Sequence, residues 1–470
     1  MAGTILSRAG TAALLTCLAL PASAAEGLDG SALGVAWGLP FAGILLSIAL
    51  MPILAPGLWH HHYGKVAAFW SAAFLLPFAL LHGPVAAGEE VAHVALQEYL
   101  PFVALLTALY TTGGGVLLRG TLTGTPLTNT VLLGVGTVLA SVMGTTGASM
   151  LLIRPVLRAN AGRTRKTHTF VFFIFLVANI GGSLTPIGDP PLYLGFLQGV
   201  AFFWPTIHLF PPFLFCAAVL LGLYFAMDSM IFARERPAPT TAAPRESLRI
   251  EGGANILLIG AVVVGVLMQG VWRPGEIALL GQHIGLERLA GVAIFALVTL
   301  VSLWVTPTRL REENDFAWGA MSEVAKLFAA IFLCMAPVLA ILKAGPAGAA
   351  ASLVALTTDG ADQPIPWVFF WLSGLLSSFL DNAPTYLVFF NLAGGDAVSL
   401  MGPEAATLVA ISAGSVFMGA NSYIGNAPNF MVKAIVEESG FRMPSFFGYC
   451  AWAMMFLIPL FVLCTFLFFR

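Results

Sequence analysis

Two carboxylates fall where long apolar runs break or turn. Asp189 lies in Leu184-Thr-Pro-Ile-Gly-Asp-Pro-Pro-Leu192, and Asp381 opens Asp381-Asn-Ala-Pro384. A charge at membrane depth is expensive, so each is a functional candidate by default. Each also has a plain structural use: Asp189 before Pro190-Pro191 suits a helix N-cap, and Asp381 suits a cap ahead of Asn382. Hydroxyls and amides occur in the same settings. They are Thr145 and Thr146 in Gly144-Thr-Thr-Gly147, Thr185 in the first break, and Asn421, Ser422 and Asn426 in Asn421-Ser-Tyr-Ile-Gly-Asn-Ala-Pro-Asn429. Such oxygens, with freed backbone carbonyls and one or two carboxylates, form a hard ligand set for a small cation such as sodium, with Asp381 and Asp189 as its charged members. Helix N-termini after the breaks, at Pro190 and Ala427, instead suit an anion. The pattern leaves both open.

These residues come in two sets. One constant shift along the chain pairs Thr185 with Ser422, Ile187 with Ile424, Gly188 with Gly425, Asp189 with Asn426 and Pro191 with Pro428. Each set ends a long apolar run, so each reads as a membrane helix that unwinds and restarts. Gly188 and Gly425 permit unusual dihedrals, and the prolines remove donors. Unwound backbone at membrane depth is tolerated only inside protein or along a cavity. Two breaks in corresponding places point to the binding site of a secondary transporter.

The elements that must position them follow from hydropathy. The chain has 470 residues, 58% hydrophobic and 9% charged, with apolar runs near 20 residues throughout. That is an all-α polytopic membrane protein, without the alternation of a barrel. The formal net charge of −2 and the lack of a basic, aromatic-interleaved stripe give no reason to expect nucleic acid. Five cysteines lie scattered in apolar segments without metal spacing.

Residues 1–25 read as a cleavable signal: Arg8, the apolar run Ala12 to Leu20, then Pro21-Ala-Ser-Ala24-Ala25. The first repeat, 26–233, holds spans at about 33–56, 66–82 and 100–119, a stretch at 127–159, the broken span 168–204 and a last span 208–233. The stretch 127–159 gives two arms of roughly 23 Å, short of the ~30 Å hydrocarbon core, so it reads as a re-entrant hairpin with its tip at Gly144 to Gly147. A Pro-rich linker, 234–252, precedes a second repeat, 253–470, with spans at 253–272, 287–305 and 320–344, a hairpin at 366–394 tipped by Asp381, a broken span 404–436 and a span 444–468. Matching Thr145 to Asp381 needs a shift one position shorter than that of the breaks. Each repeat thus has five spans plus one hairpin, and the odd number makes the repeats inverted. Thirteen Lys or Arg fall in the segments expected inside the cell and four in those outside, which orients the chain with 234–252 cytoplasmic and 345–365 outside.

Other candidates are weaker. His60, His61 and His62 sit beside Lys65 in an expected cytoplasmic loop. Arg154 and Lys326 lie within apolar elements, where snorkelling or an ion pair is the default. Asp228 is expected to be wet at a helix end, and Glu98 and Glu323 open the third span of each half. No Ser-His-Asp order, His-Glu-x-x-His or Walker-type loop suggests an enzyme or a cofactor.

The order of hairpin, broken helix, hairpin, broken helix resembles the ion transporter superfamily. Gly181-Gly-Ser-Leu-Thr-Pro-Ile-Gly-Asp-Pro-Pro191 and Gly144-Thr-Thr-Gly-Ala-Ser-Met150 look like its branch of NhaD-type sodium:proton antiporters and citrate transporters, and Asp381-Asn-Ala-Pro384 is similar to antiporter and arsenite-permease tips. The resemblance covers about 100–440. It implies a homodimer in a bacterial inner membrane, a scaffold beside a mobile transport domain, and elevator motion. Antiporters often carry Asp-Asn where this chain has Thr145-Thr146, which removes one carboxylate. The expectation is a sodium/proton antiporter, site Thr145, Thr146, Thr185, Gly188, Asp189, Asp381, Asn382, Asn421, Ser422, Gly425 and Asn426; the alternative is a cation-coupled citrate or dicarboxylate carrier.

Overall fold

The computed structural model describes residues 28–235, 247–360 and 363–470. The expected signal segment, and most of the expected linker, lie outside the described residues. Apolar composition around whole helical turns makes nearly everything else helical. The principal helices are α1 (Leu39–Leu54), α2 (Pro56–His82), α3 (Pro84–Gly113, with a π turn at Val94–Tyr99), α4 (Pro126–Met143), α5 (Thr145–Ala159), α6 (Thr167–Leu176), α7 (Pro190–Leu197) and α8 (Phe210–Arg234). In the second half they are α9 (Gly253–Val271), α10 (Leu286–Val305), α11 (Trp318–Lys343), α12 (Pro366–Phe379), α13 (Asn382–Leu392), α14 (Ala405–Phe417), α15 (Ala427–Glu438) and α16 (Phe446–Phe468). Among the described residues ten helices are long and apolar enough to cross a membrane.

Burial separates an inner set from an outer one. Every side chain from Phe170 to Ala178 is fully buried, whereas α2 exposes Leu76, Leu80 and Leu81. A helix apolar all round needs protein on every side, and a striped one can face lipid. The inner set comprises α5, α6, α7, α13 and α14, the elements beside the tips and breaks.

Local chemistry sets the ends. The α4 N-terminus is capped by Thr125, whose hydroxyl accepts from Thr128 N at 3.2 Å. It stops at Gly144, whose φ of 81° suits glycine, and α5 starts at once. The chain then returns to its starting level: Gly124 N donates to Ala159 O at 2.8 Å, and the Asn129 and Asn160 amides pair twice at 2.9 Å. So α4 and α5 form a helical hairpin with its apex at Gly144. Its arms are unequal, because the apex falls late: 18 residues of α4 span about 27 Å against roughly 23 Å for α5.

Two small antiparallel ribbons gather the loops. Leu117–Arg119 pairs with Arg249–Glu251, and Glu276–Leu279 pairs with Gln282–Gly285. Arg119 bonds Glu251 and Glu313 near the first ribbon; Arg288 bonds Gln97, and His93 bonds Gln282, near the second. The connections thus sort into two groups at opposite ends of the helices.

Three expectations change. His60 to His62 are not in a loop: α1 and α2 are separated by Ala55 alone, and Pro56 starts the next helix at once. The third span is longer than expected and ends at Gly113, where Gly113-Gly114-Gly115 breaks it before the ribbon. Asp228 is not wet but fully buried, bound by Arg163 at 2.7 Å, His168 at 2.8 Å, Tyr224 at 3.1 Å and Asn129 at 3.3 Å. Its partners come from α4, α6, α8 and the 160–166 turn, so only folding brings them together.

Candidate functional site

The breaks are built alike. After α6 the chain makes a 3-10 turn, Ile180–Leu184, runs extended past Thr185, and restarts as α7 at Pro190. After α14 it makes a 3-10 turn, Met418–Asn421, and restarts as α15 at Ala427. Ser141 Oγ donates to Gly181 O at 2.5 Å, and its counterpart in the second half, Ser378 Oγ, donates to Met418 O at 3.2 Å. Thr185 Oγ1 donates to Ser141 O, and Ser422 Oγ donates to Ser378 O at 2.5 Å, the same shift that relates the breaks. Each break is therefore tied to the arm that approaches its tip.

Gly188 and Gly425 serve the same contact. A Cβ on Gly188 would lie 2.3 Å from Gly182 O, and one on Gly425 2.5 Å from Gly419 O. No side chain fits there without moving backbone. Gly188 O accepts from Thr145 N at 2.9 Å, so the first break also satisfies the first tip.

Asp189 is the hub. It is 1% exposed. It occupies the N-cap position of α7, but its side chain makes no capping bond. Instead Oδ1 accepts from Thr145 Oγ1 at 3.0 Å and from Asn426 Nδ2 at 3.3 Å, while Oδ2 accepts from Asn382 Nδ2. Thr145 is the first residue of α5, Asn382 the first of α13, and Asn426 the N-cap of α15. Four helix N-termini converge on one carboxylate. Each brings a partial charge of about +0.5, which offsets the carboxylate without a basic side chain among its partners. Among the described residues no ion pair includes Asp189 or Asp381.

Asp381 has the other role. It caps α13, accepting from Ala383 N at 3.0 Å, while its carbonyl accepts from Thr385 Oγ1 at 3.0 Å. Its neighbour Asn382 makes the bond to Asp189 and leaves Oδ1 buried without a partner. Asn421 donates to Ser378 Oγ at 2.9 Å, and its Oδ1 is likewise unpaired. These two orphan amide oxygens, one on the residue that binds Asp189 and one at the end of the second 3-10 turn, are acceptors in want of a donor or a cation. Thr146 is half-buried and is not among the Asp189 partners.

Sequence reasoning missed two residues. Asn179 donates to Asn429 Oδ1 at 2.7 Å and accepts from Asn426 at 3.3 Å; Asn429 donates to Gly419 O and Ser422 O at 2.9 Å. This amide pair joins the two breaks directly. The signal was an isolated Asn in the apolar run three residues beyond α6 and a second one three residues after Asn426. A cleft of about 400 Å³, lined in part by Tyr423, Ile424, Lys433 and Phe446, opens beside the second break.

Comparison with known proteins gives this arrangement its context. A family profile described as "Putative citrate transport" matches residues 30–469. The chain belongs to this family. The match takes in every member of the Asp189 cluster, so this citrate-transport family protein carries its tips and breaks inside the shared region. Its relatives include proteins described as uncharacterized transporters in Mycobacterium tuberculosis and Mycobacterium bovis, each 24% identical over 322 residues, 67% of this chain and 71% of theirs. A 46 kDa membrane protein of Mycobacterium leprae is 26% identical over 332 residues, covering 67% of this chain and 71% of its own. The protein is thus a multi-pass membrane transporter of the citrate-transport family.

Proposed function

We propose that this transporter is a cation-coupled carrier of a citrate-like carboxylate anion, with Asp189 at the centre of its site. One observation carries the reading: four helix N-termini meet on a buried carboxylate, with no basic side chain among its partners. Helix N-termini attract carboxylates, while Asp189, Asp381 and the free Oδ1 atoms of Asn382 and Asn421 supply hard oxygens for sodium or a proton. A site of mixed sign suits an anion and a cation that travel together. The family description agrees with a carboxylate substrate.

A second reading, sodium/proton antiport, is favoured by the orphan acceptors and by the likeness of Asp381-Asn382 to NhaD-type tips. There, sodium and protons compete for the carboxylates and no organic anion is needed. In both readings the constant offset between the halves reflects inverted repeats, the hairpins are re-entrant, and the tips and breaks move as one body against α1–α3 and α9–α11 in an elevator. A homodimer in the inner membrane of a bacterium fits the same scheme.

Proteoliposomes separate the readings. With lumenal pH and labelled citrate followed together, citrate uptake driven by a sodium or proton gradient, and no pH change on a sodium pulse alone, supports the carrier. Proton movement on sodium addition without citrate rejects it in favour of the antiporter.

A further inference from the structure

Away from Asp189, α2 and α11 run side by side in the same direction: Trp59 bonds Glu323 near their starts, and near their ends Trp37 packs on Phe78 and His82 while Gly38 meets Val338. They leave an open cleft of about 580 Å³ between them. Its lining holds two lysines, Lys65 and Lys326, with His60, His61, Tyr63 and Gly64. The Lys326 ammonium stands 5.4 Å from the centre of the Tyr63 ring, and its stem packs 3.6 Å from the position of a Cβ on Gly64. Among the described residues neither lysine belongs to an ion pair. The nearby acid, Glu323, accepts from Trp59 Nε1 at 3.2 Å and is not part of the lining. Two ammonium groups thus share one cleft, neither of them ion-paired, with Glu323 one turn from Lys326 and bonded to Trp59 instead.

The level of the cleft is informative. Lys65 stands as far before the end of α2 at His82 as Lys326 stands before the end of α11 at Lys343. At 1.5 Å per residue both are about 25 Å from the far ends, close to one boundary of a hydrocarbon layer ~30 Å thick. Exposed Leu54, Leu58 and Phe69 flank them on α1 and α2. Cationic groups at the boundary, with open apolar surface alongside, match a headgroup and its acyl chains.

We propose that this cleft binds the phosphate headgroup of an anionic phospholipid, held by Lys65 and Lys326, with His60, His61 and Tyr63 as hydrogen-bonding neighbours. The bound lipid bridges α2 and α11. This rests on neither reading of the transport site.

The test uses the full-length protein in detergent and native mass spectrometry, with dioleoylphosphatidylglycerol and dioleoylphosphatidylcholine as probes. Phosphatidylglycerol is expected to bind at least tenfold more tightly. A juxtamembrane lysine contributes enough to anionic-lipid binding that Lys65→Gln or Lys326→Gln should weaken it about fivefold, and Lys65→Arg or Lys326→Arg much less. Equal binding of the two lipids, or unchanged binding in the Lys65→Gln/Lys326→Gln double variant, overturns the proposal. Inorganic phosphate displacing the lipid at equal concentration overturns it too, because the site would then take free anions. If the double variant does not fold, a photoreactive side chain at position 63 of the otherwise unchanged chain decides: cross-linking to phosphatidylglycerol supports the site. Cross-linking no greater than from position 131, on the exposed face of α4, rejects it.

Discussion

Replacing the Asp189 carboxylate by an amide disturbs three hydrogen bonds at once. Thr145, Asn382 and Asn426 all donate to it, so an amide NH2 in either orientation faces a donor. Hydrogen bonds to a charged group are worth about 1.5–3 kcal/mol each, so losing one or two in the loaded state corresponds to a drop of roughly a hundredfold. Asp189→Asn is therefore expected to lower citrate uptake in proteoliposomes about that much, with the protein still eluting as a folded peak in detergent. Asp381→Asn keeps a good N-cap on α13, because Asn caps as well as Asp. Its uptake should fall less than tenfold. Equal losses in the two variants would mean that the carboxylates act as a pair. The sequence marked both acids and most of their neighbours, since an Asp or Asn next to Pro in an apolar run stands out. It did not reveal which one caps and which one collects donors, because that depends on where three other chain segments arrive. The same is true of Asn179 and Asn429, whose meaning lies in their contact with each other. Structurally, Thr145 and Asn382 are the matching donors, which extends the shift of the breaks to the tips, where matching Thr145 to Asp381 had fallen one position short.

At the scale of elements, the breaks depend on two glycines packed against backbone carbonyls. Gly188→Ala and Gly425→Ala force the restarting helix away from the 3-10 turn, and overpacking of this kind costs about 1–3 kcal/mol. Both variants are expected to cut transport more than abundance, whereas Gly222→Ala, which meets nothing within 4 Å, serves as the neutral control. Transport at the control's level in both would remove the breaks from the mechanism. The base of the first hairpin is held differently, by the buried Asp228 with Arg163 and His168. Removing one partner of a buried pair leaves an unpaired charge, so Asp228→Ala should destabilise the protein by about 3–5 kcal/mol, read as an earlier thermal transition in detergent. Arg163 continues to Glu235 at 2.9 Å. Burial by itself would raise the Glu235 carboxyl, but bonds from Arg165 N, Arg163 and Thr164 hold it below its ordinary value of 4.5. A lowered carboxylate stabilises the fold above the ordinary value and loses that contribution as pH falls through the lower, folded one. The wild type should therefore lose thermal stability below about pH 4.5 more steeply than Glu235→Gln. Parallel profiles would leave Glu235 out of the clasp. Hydropathy could find the helices that hold this clasp, but Asp228 looked wet because its position near a helix end says nothing of Arg163 and His168. His60 to His62 looked like a loop because three polar residues interrupt an apolar run, yet Pro56 lets the next helix start immediately.

At the scale of the whole molecule, the ends of the helices fall into two groups, and the groups differ in charge. One gathers Arg119, Glu251, Arg309 and Glu313 around the first ribbon; the other gathers His93, Gln97, Gln282 and Arg288 around the second. The first also holds the turn with Arg163, Arg165 and Lys166, so the basic excess lies on that side. Positive charge is retained in the cytoplasm during insertion, so the expected orientation has the first ribbon inside the cell and the second outside. The fold adds a constraint that charge counting lacks: strand pairing and ion pairs require residues 117–119, 249–251 and 309–313 to share a side whatever the orientation. In a background with the native cysteines replaced, a single cysteine at His283, which is exposed in the second ribbon, should react with an impermeant thiol reagent added to intact cells. One at Glu312, exposed beside the first ribbon, should react only after permeabilisation. The reverse pattern would turn the molecule over while preserving its fold. Labelling of both from outside would mean that the two groups of loops lie on one side, and α10, the single helix between His283 and Glu312, could not cross the membrane.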